Sequence, residues 1–213
     1  MTEAEDRELL EAWRGGDERA GSALVRRHFV TLSRFFARRS DAPADLMQQT
    51  MLGCVRSRDR VPEDVSFRVY LLGIARRVLL HHYRARARKA RPAALEEADA
   101  RFPSAASPSR VLAQAEEQRL LLRAMRALPL ELQLALELYY WEQLKFHEIA
   151  AVLEIPAGTV KSRMARARRL LRERIASLEA SEALRRSTLD NFERWARSIR
   201  GRALARDEEP EDG

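Results

Sequence analysis

Glycine and proline are scarce, eight of each in 213 residues, which leaves room for only a few breaks between regular elements. Between Asp6 and Arg91 no Asn-Gly or Asp-Gly pair marks a hairpin, so a β-rich first half is not expected. A single cysteine, Cys54, cannot form an internal disulfide. With Leu52 and Val55 beside it, Cys54 reads as a small core residue rather than a redox centre. Histidine is limited to four. The chain has no Gly-rich phosphate loop, no G-x-S-x-G elbow and no H-E-x-x-H, so it is expected to be no enzyme and to need no metal or other cofactor. Nor does any uncharged apolar run approach the ~20 residues of a spanning helix. The opening Met1-Thr-Glu-Ala-Glu-Asp-Arg7 is acidic where a secretory signal is basic and then apolar, and a cytoplasmic protein with no membrane insertion is the expectation. No period of 20–50 residues repeats, which excludes solenoids and propellers.

What is abundant is positive charge. Lys and Arg exceed Asp and Glu by 39 to 32, and a pI of about 10.2 points to a polyanion as partner. Hydrophobic residues, 46% of the chain, suffice for packed cores. Apolar residues return at helical spacing from about Asp6 to Arg91. Leu24, Val25, Phe29, Leu32, Phe35 and Phe36 fit one stripe, and Leu46, Met47, Thr50, Met51, Cys54 and Val55 fit the next. Pro43-Ala-Asp45 opens that second helix. After the loop Arg58–Val65, Ser66 is placed to cap a further helix carrying Phe67, Tyr70, Leu71, Ile74, Ala75 and Val78.

From Ala90 to Arg110 periodicity fades, while Pro92, Pro103, Pro108 and Ser104, Ser107, Ser109 gather, the composition of a linker. Periodicity resumes near Val111 and runs, past Pro129 and Pro156, to about Leu178. The fold expected is therefore all-α, with two small helical domains at 1–91 and 113–178, a flexible linker at 92–112, and a helix-turn-helix in the second domain. Residues 179–213 form an amphipathic extension, with Leu184, Leu189, Phe192, Trp195 and Ile199 on one face and an acidic tail behind it.

Two segments concentrate the charge. Phe146–Leu153 is a short amphipathic helix, followed by the turn Glu154-Ile-Pro156 and a second helix whose Val160, Met164, Ala167 and Leu171 are spaced by four, three and four. The opposite face of that helix carries Lys161, Ser162, Arg163, Arg166, Arg168 and Arg169, and Pro156–Arg174 holds seven basic residues against one acid. Such a face fits the major groove, where Lys, Arg and Ser can bond base edges or phosphates; the bland reading is a solvated basic helix. In the first domain Arg76–Arg91 holds seven basic residues and no acid, suited to phosphate contact. Phe67, Tyr70 and Tyr83 could stack on unpaired bases, or could be core.

In this order and joined by such a linker, the two segments resemble the region 2 and region 4 domains of extracytoplasmic-function (ECF) sigma factors of bacterial RNA polymerase. Asp45–Met51, Phe67–Arg76, Pro156–Arg163 and Arg166–Arg168 carry the resemblance. It implies a transcription initiation factor whose partners are core RNA polymerase and promoter DNA, with an anti-sigma factor as a candidate regulator. It further implies that Asp45, Leu46, Gln48 and Gln49 dock on a coiled coil of the polymerase's largest subunit. The loop Arg58–Ser66 would capture a flipped base of the minus-ten element, with Phe67, Tyr70, Arg76, Arg77, His81 and Arg84 along the separated strand. Thr159, Lys161, Ser162, Arg163, Ala165, Arg166, Arg168 and Arg169 would meet the minus-thirty-five element. Gln49 stands where the family usually has an acid, Arg77 where Asn is common and His81 where Asp is common. The rival readings are a stand-alone helix-turn-helix regulator that uses only the second domain, and a scaffold or RNA-binding protein that grips backbone without sequence choice.

Overall fold

The structure is a computed structural model that describes residues 3–37, 39–89, 110–178 and 180–194, helical throughout with no strand among them. The chain divides into two compact units, one of residues 1–95 with the short stretch 150–154, the other of residues 96–149 and 155–213. None of the described helices is long and apolar enough to cross a membrane.

The first unit is built from α1 (Glu3–Arg14), α2 (Glu18–Arg27), α3 (Phe29–Ala37), α4 (Pro43–Ser57) and α5 (Phe67–Lys89), with a short 3-10 turn at Arg58–Arg60. Asp17 Oδ1 accepts from the backbone N–H groups of Arg19 and Ala20 at 2.9 and 3.2 Å, capping α2. Trp13 of α1 lies against Gly21 so closely that a Cβ there would meet the indole at 2.4 Å; only glycine lets α1 and α2 approach this far. The stripe expected from Leu24 to Phe36 is broken. His28 ends α2, and Phe29 starts α3 with half its surface exposed, 51%. His28 itself is buried, its Nε2–H donating to Asp6 Oδ2 at 2.7 Å and its ring tilted on Phe67. Burial lowers the His28 pKa, partly opposed by the Asp6 carboxylate. Ser66 Oγ accepts from Val69 N–H at 3.4 Å, as expected of a cap, and α5 starts at Phe67.

The core of this unit differs from the expected set along α4. Leu46, Met47, Thr50 and Cys54 are buried, whereas Val55 of the same expected stripe is 45% exposed, beside Leu52, outside the stripe, at 47%. Cys54 is fully enclosed, and burial pushes its thiol pKa up to about 12, so the core reading of this residue stands.

The second unit comprises α6 (Arg110–Arg126), α7 (Leu130–Tyr140), the start of α8 (Phe146–Leu153), whose last four residues group with the first unit, α9 (Ala157–Ser177) and α10 (Glu182–Asp190). Pro129 and Pro156 occupy the N-cap positions of α7 and α9, where a missing N–H costs nothing. Helix α7 is buried nearly all round, through Leu132, Leu134, Ala135, Leu136, Leu138 and Tyr140, and packs with α9; α10 packs on α6 and α9. Most of the expected linker, 92–109, lies outside the described residues, and its last three positions are already the start of α6. Trp195, Ile199 and the acidic tail also lie outside them. The part of the extension that is described forms α10, with Thr188 buried and Phe192 edge-on to Tyr140 at 5.3 Å.

Candidate nucleic-acid and polymerase interfaces

The α8–α9 pair has helix-turn-helix form. Its turn passes through Glu154 in the left-handed region, φ 53°, and Pro156 then leads into α9. Glu148 accepts from Lys145 N–H at 2.6 Å and caps the start of α8. Val160, Met164, Ala167 and Leu171 are all within 1% of complete burial, and Ile175 continues the stripe. The amphipathic spacing is thus realised, and it turns a basic face outward.

On that face Lys161, Ser162, Ala165, Arg166 and Arg169 are exposed, while Thr159, Arg163 and Arg168 are half-buried. Several are held. Ser162 Oγ donates to the Thr159 carbonyl at 2.9 Å. Arg163 pairs with Glu131 of α7 at 2.7 Å. Arg168 donates from Nε to Tyr140 Oη at 3.1 Å and lies over the rings of Tyr139 and Tyr140. Arg169 pairs with Glu173 at 2.8 Å. Among the described residues no hydrogen bond or ion pair engages Lys161 or Arg166. The centre of the face therefore offers uncommitted donors, flanked by arginines whose directions are fixed.

In α5 the buried half carries Phe67, Val69, Leu71, Leu72, Ile74, Ala75 and Leu79. Phe67, expected as a base-stacking residue, is 3% exposed and packs on His28, so it supports the fold and presents no ring to a strand. Tyr70 is half-buried, its hydroxyl donating to the Ser57 carbonyl at 3.2 Å. Tyr83 likewise ties to the Arg39 carbonyl at 2.6 Å. Arg76 is half-buried, whereas Arg77, His81, Arg84 and Arg88 are exposed. Their spacing of four, three and four puts them on one face of α5.

On α4 the four residues expected to meet the polymerase separate. Asp45, Gln48 and Gln49 are exposed, but Leu46 is 2% exposed and belongs to the core; its side chain has no surface to offer. Leu52 and Val55 stand on the exposed face instead, one and two turns further on, and make it amphipathic in the unusual sense of apolar residues facing water. The spacing 45, 48, 49, 52, 55 marks this face in the sequence, where Val55 reads as core.

Comparison with known proteins bears on both units. Residues 24–89 match the family model described as Sigma-70 region 2, and residues 118–171 match Sigma-70, region 4; together they span more than half the chain. The chain is 29% identical over 178 residues to the RNA polymerase sigma-H factor of Pseudomonas aeruginosa, a match that covers 79% of this chain and 92% of that protein. It is 27% identical over 183 residues to the ECF RNA polymerase sigma-E factor of Escherichia coli strain K12, covering 81% and 95%. Among solved structures, CnrH in complex with the cytosolic domain of CnrY aligns with a TM-score of 0.57 at 24% identity, over 81% of this chain and 98% of that one. The sigma factor RpoE, in complex with the anti-sigma factor NepR from Bartonella quintana, aligns with the same TM-score at 21% identity, over 76% and 98%. These two likenesses concern the fold.

Proposed function

Since the chain belongs to the sigma-70 family, as a two-region sigma factor of the ECF type that directs RNA polymerase to promoters, we propose which of its faces does which part of that work. The exposed face of α4, Asp45, Gln48 and Gln49 with Leu52 and Val55, docks on core polymerase. Two apolar side chains ringed by polar ones are the composition of an interface centre. The loop Arg58–Ser66 holds one flipped base of the downstream element. The stripe Arg77, His81, Arg84 and Arg88 follows the backbone of the separated strand, where neutralised phosphates release counterions. In the second unit Lys161, Ser162 and Arg166 reach base edges in the major groove, Ala165 lies against a thymine methyl, and Thr159, Arg163, Arg168 and Arg169 frame the phosphates.

One observation carries this reading. Each family segment coincides with a helical unit whose polar residues, left over from the core, gather into a continuous basic face. The protein works as a transcription factor, not an enzyme, and in the cytoplasm, where the polymerase is. An anti-sigma factor is a further partner, by analogy with the one bound to RpoE of Bartonella quintana.

Run-off transcription with purified core polymerase over a promoter library tests the proposal. The selected templates should share two separated elements, and changing either should abolish the transcript. Tight, sequence-specific binding without core polymerase, and no initiation with it, would instead make the chain a stand-alone regulator.

A further inference from the structure

Among the described residues the loop after α4 has only two backbone bonds of its own, from Val61 N–H to the Arg58 carbonyl at 3.4 Å and from Val65 N–H to the Pro62 carbonyl at 3.3 Å. Its carbonyl groups are taken up by α1, more than forty residues earlier. Arg14, the last residue of α1, donates from Nε to the carbonyl of Arg58 at 3.2 Å and from Nη2 to that of Val61 at 2.7 Å. Its third nitrogen, Nη1, meets Glu11 Oε1 at 2.7 Å, one turn back on α1. Arg7 adds a bond from Nη2 to the carbonyl of Glu63 at 2.7 Å. The loop answers in kind, since the Arg58 guanidinium sits over the Trp13 ring at 5.6 Å and 3.3 Å from Glu18. Trp13 is itself seated against Gly21, so the platform beneath these bonds is rigidly packed.

Three carbonyls of one short segment, at 58, 61 and 63, therefore point toward α1. The loop must turn its other side outward, and Asp59, Arg60, Glu63 and Asp64 are exposed there. A pocket that accepts an extruded base has to be formed beforehand, because ordering it on binding would add to the cost of unstacking the base. A fixed guanidinium fork spanning two carbonyls supplies that order, which a single ammonium cannot.

We infer that Arg14 is a positioning residue for promoter opening: by clamping the backbone of residues 58–61 it sets how well the loop discriminates the flipped base. The inference rests on the reading of this loop as the base-capturing element. Arg14 touches no DNA in this account and acts only through the loop.

The experiment measures affinity of the reconstituted holoenzyme for single-stranded oligonucleotides of the non-template downstream element, each with one base varied, and takes the ratio of best to worst base at each position. Arg14→Ala should lower that ratio about tenfold at one position, the size of one charge-assisted bond. Affinity for core polymerase should be unchanged. Arg14→Lys should fail to restore the ratio, and it serves as the test variant should Arg14→Ala not fold by circular dichroism. A uniform loss on all strands would make Arg14 merely structural and overturn the inference. So would an unchanged ratio in Arg14→Ala while Arg60→Ala or Asp64→Ala lowers it, an outcome that leaves the loop reading intact. If the wild-type holoenzyme shows no base preference anywhere and the loop variants are silent, the loop reading falls and takes the inference with it.

Discussion

The two basic helices, α5 and α9, reach their exposed faces by different routes. Only one stripe of α9 is buried, Val160, Met164, Ala167, Leu171 and Ile175, so everything off that stripe is free to carry charge. Helix α5 packs among α1, α3 and α4, and its first half is buried on most sides. Its basic face emerges only beyond Ala75, at Arg77, His81, Arg84 and Arg88. Arginines are held on both helices, and on α5 Arg86 pairs with Asp41 at 3.0 Å while Arg88 Nε donates to the Arg84 carbonyl at 3.3 Å. On α9 three of them are braced by Glu131, Tyr140 and Glu173. That arrangement steadies the arginines assigned to the phosphates, which fixes how Lys161 and Arg166 sit over the base edges of a duplex.

The sharpest break of the comparison concerns α4, where neighbouring residues divide between core and surface. Leu46→Glu buries a charge in the first unit and should cost about 4 kcal/mol or more, abolishing that unit's thermal transition. An unaltered melt would mean that Leu46 is not core. Deletion after Leu178 removes α10, with buried Thr188 and half-buried Leu184, Leu189 and Phe192, and should destabilise only the second unit, by about 3 kcal/mol. Calorimetry that finds the two proteins identical would make the extension dispensable. By contrast Leu52→Glu should leave the melt unchanged and weaken holoenzyme formation by about 2 kcal/mol. Normal binding in an anisotropy titration would remove this face from the account.

On α9, Arg166→Ala should cost about 1–3 kcal/mol at the upstream element and relax choice at one base pair. Arg168→Ala should weaken all sequences alike and reduce the salt slope by about one; the opposite pattern would exchange their roles. The smallest effect is one of pH. Because the His28 pKa is lowered by burial, below about pH 6.5 the unfolded chain takes up a proton that the folded one resists. Its contribution is present above that pH and is lost as pH falls through the folded value. Urea midpoints at pH 7 and 5 should therefore differ more for the wild type than for His28→Gln.

The legibility of the sequence follows the same division. Helix α9 packs on one stripe, so its periodicity alone located both core and candidate DNA face. The helix-turn-helix followed from Pro156 and the short preceding helix. Where a segment is surrounded, burial ceases to follow one period, and Phe67 read as a candidate stacking residue although His28, thirty-nine positions away, covers it. Val55 failed in the other direction, since an apolar side chain on a helix reads as core unless a partner is already in mind. The burial of His28 was hidden because its partner, the carboxylate of Asp6, lies on another helix. The carbonyl contacts of Arg14 belong to the same class, for backbone acceptors leave no mark in residue type.

Photo-crosslinking from two positions of one holoenzyme–promoter complex tests the central claim most directly, that one chain reads a duplex with α9 and holds an open strand with α5. A photoreactive residue in place of Ala165 should label bases of the upstream duplex, and one in place of His81 should label the non-template strand of the downstream element, both only when core polymerase is present. Labelling of the same element from both positions, or equal labelling without the polymerase, would contradict it.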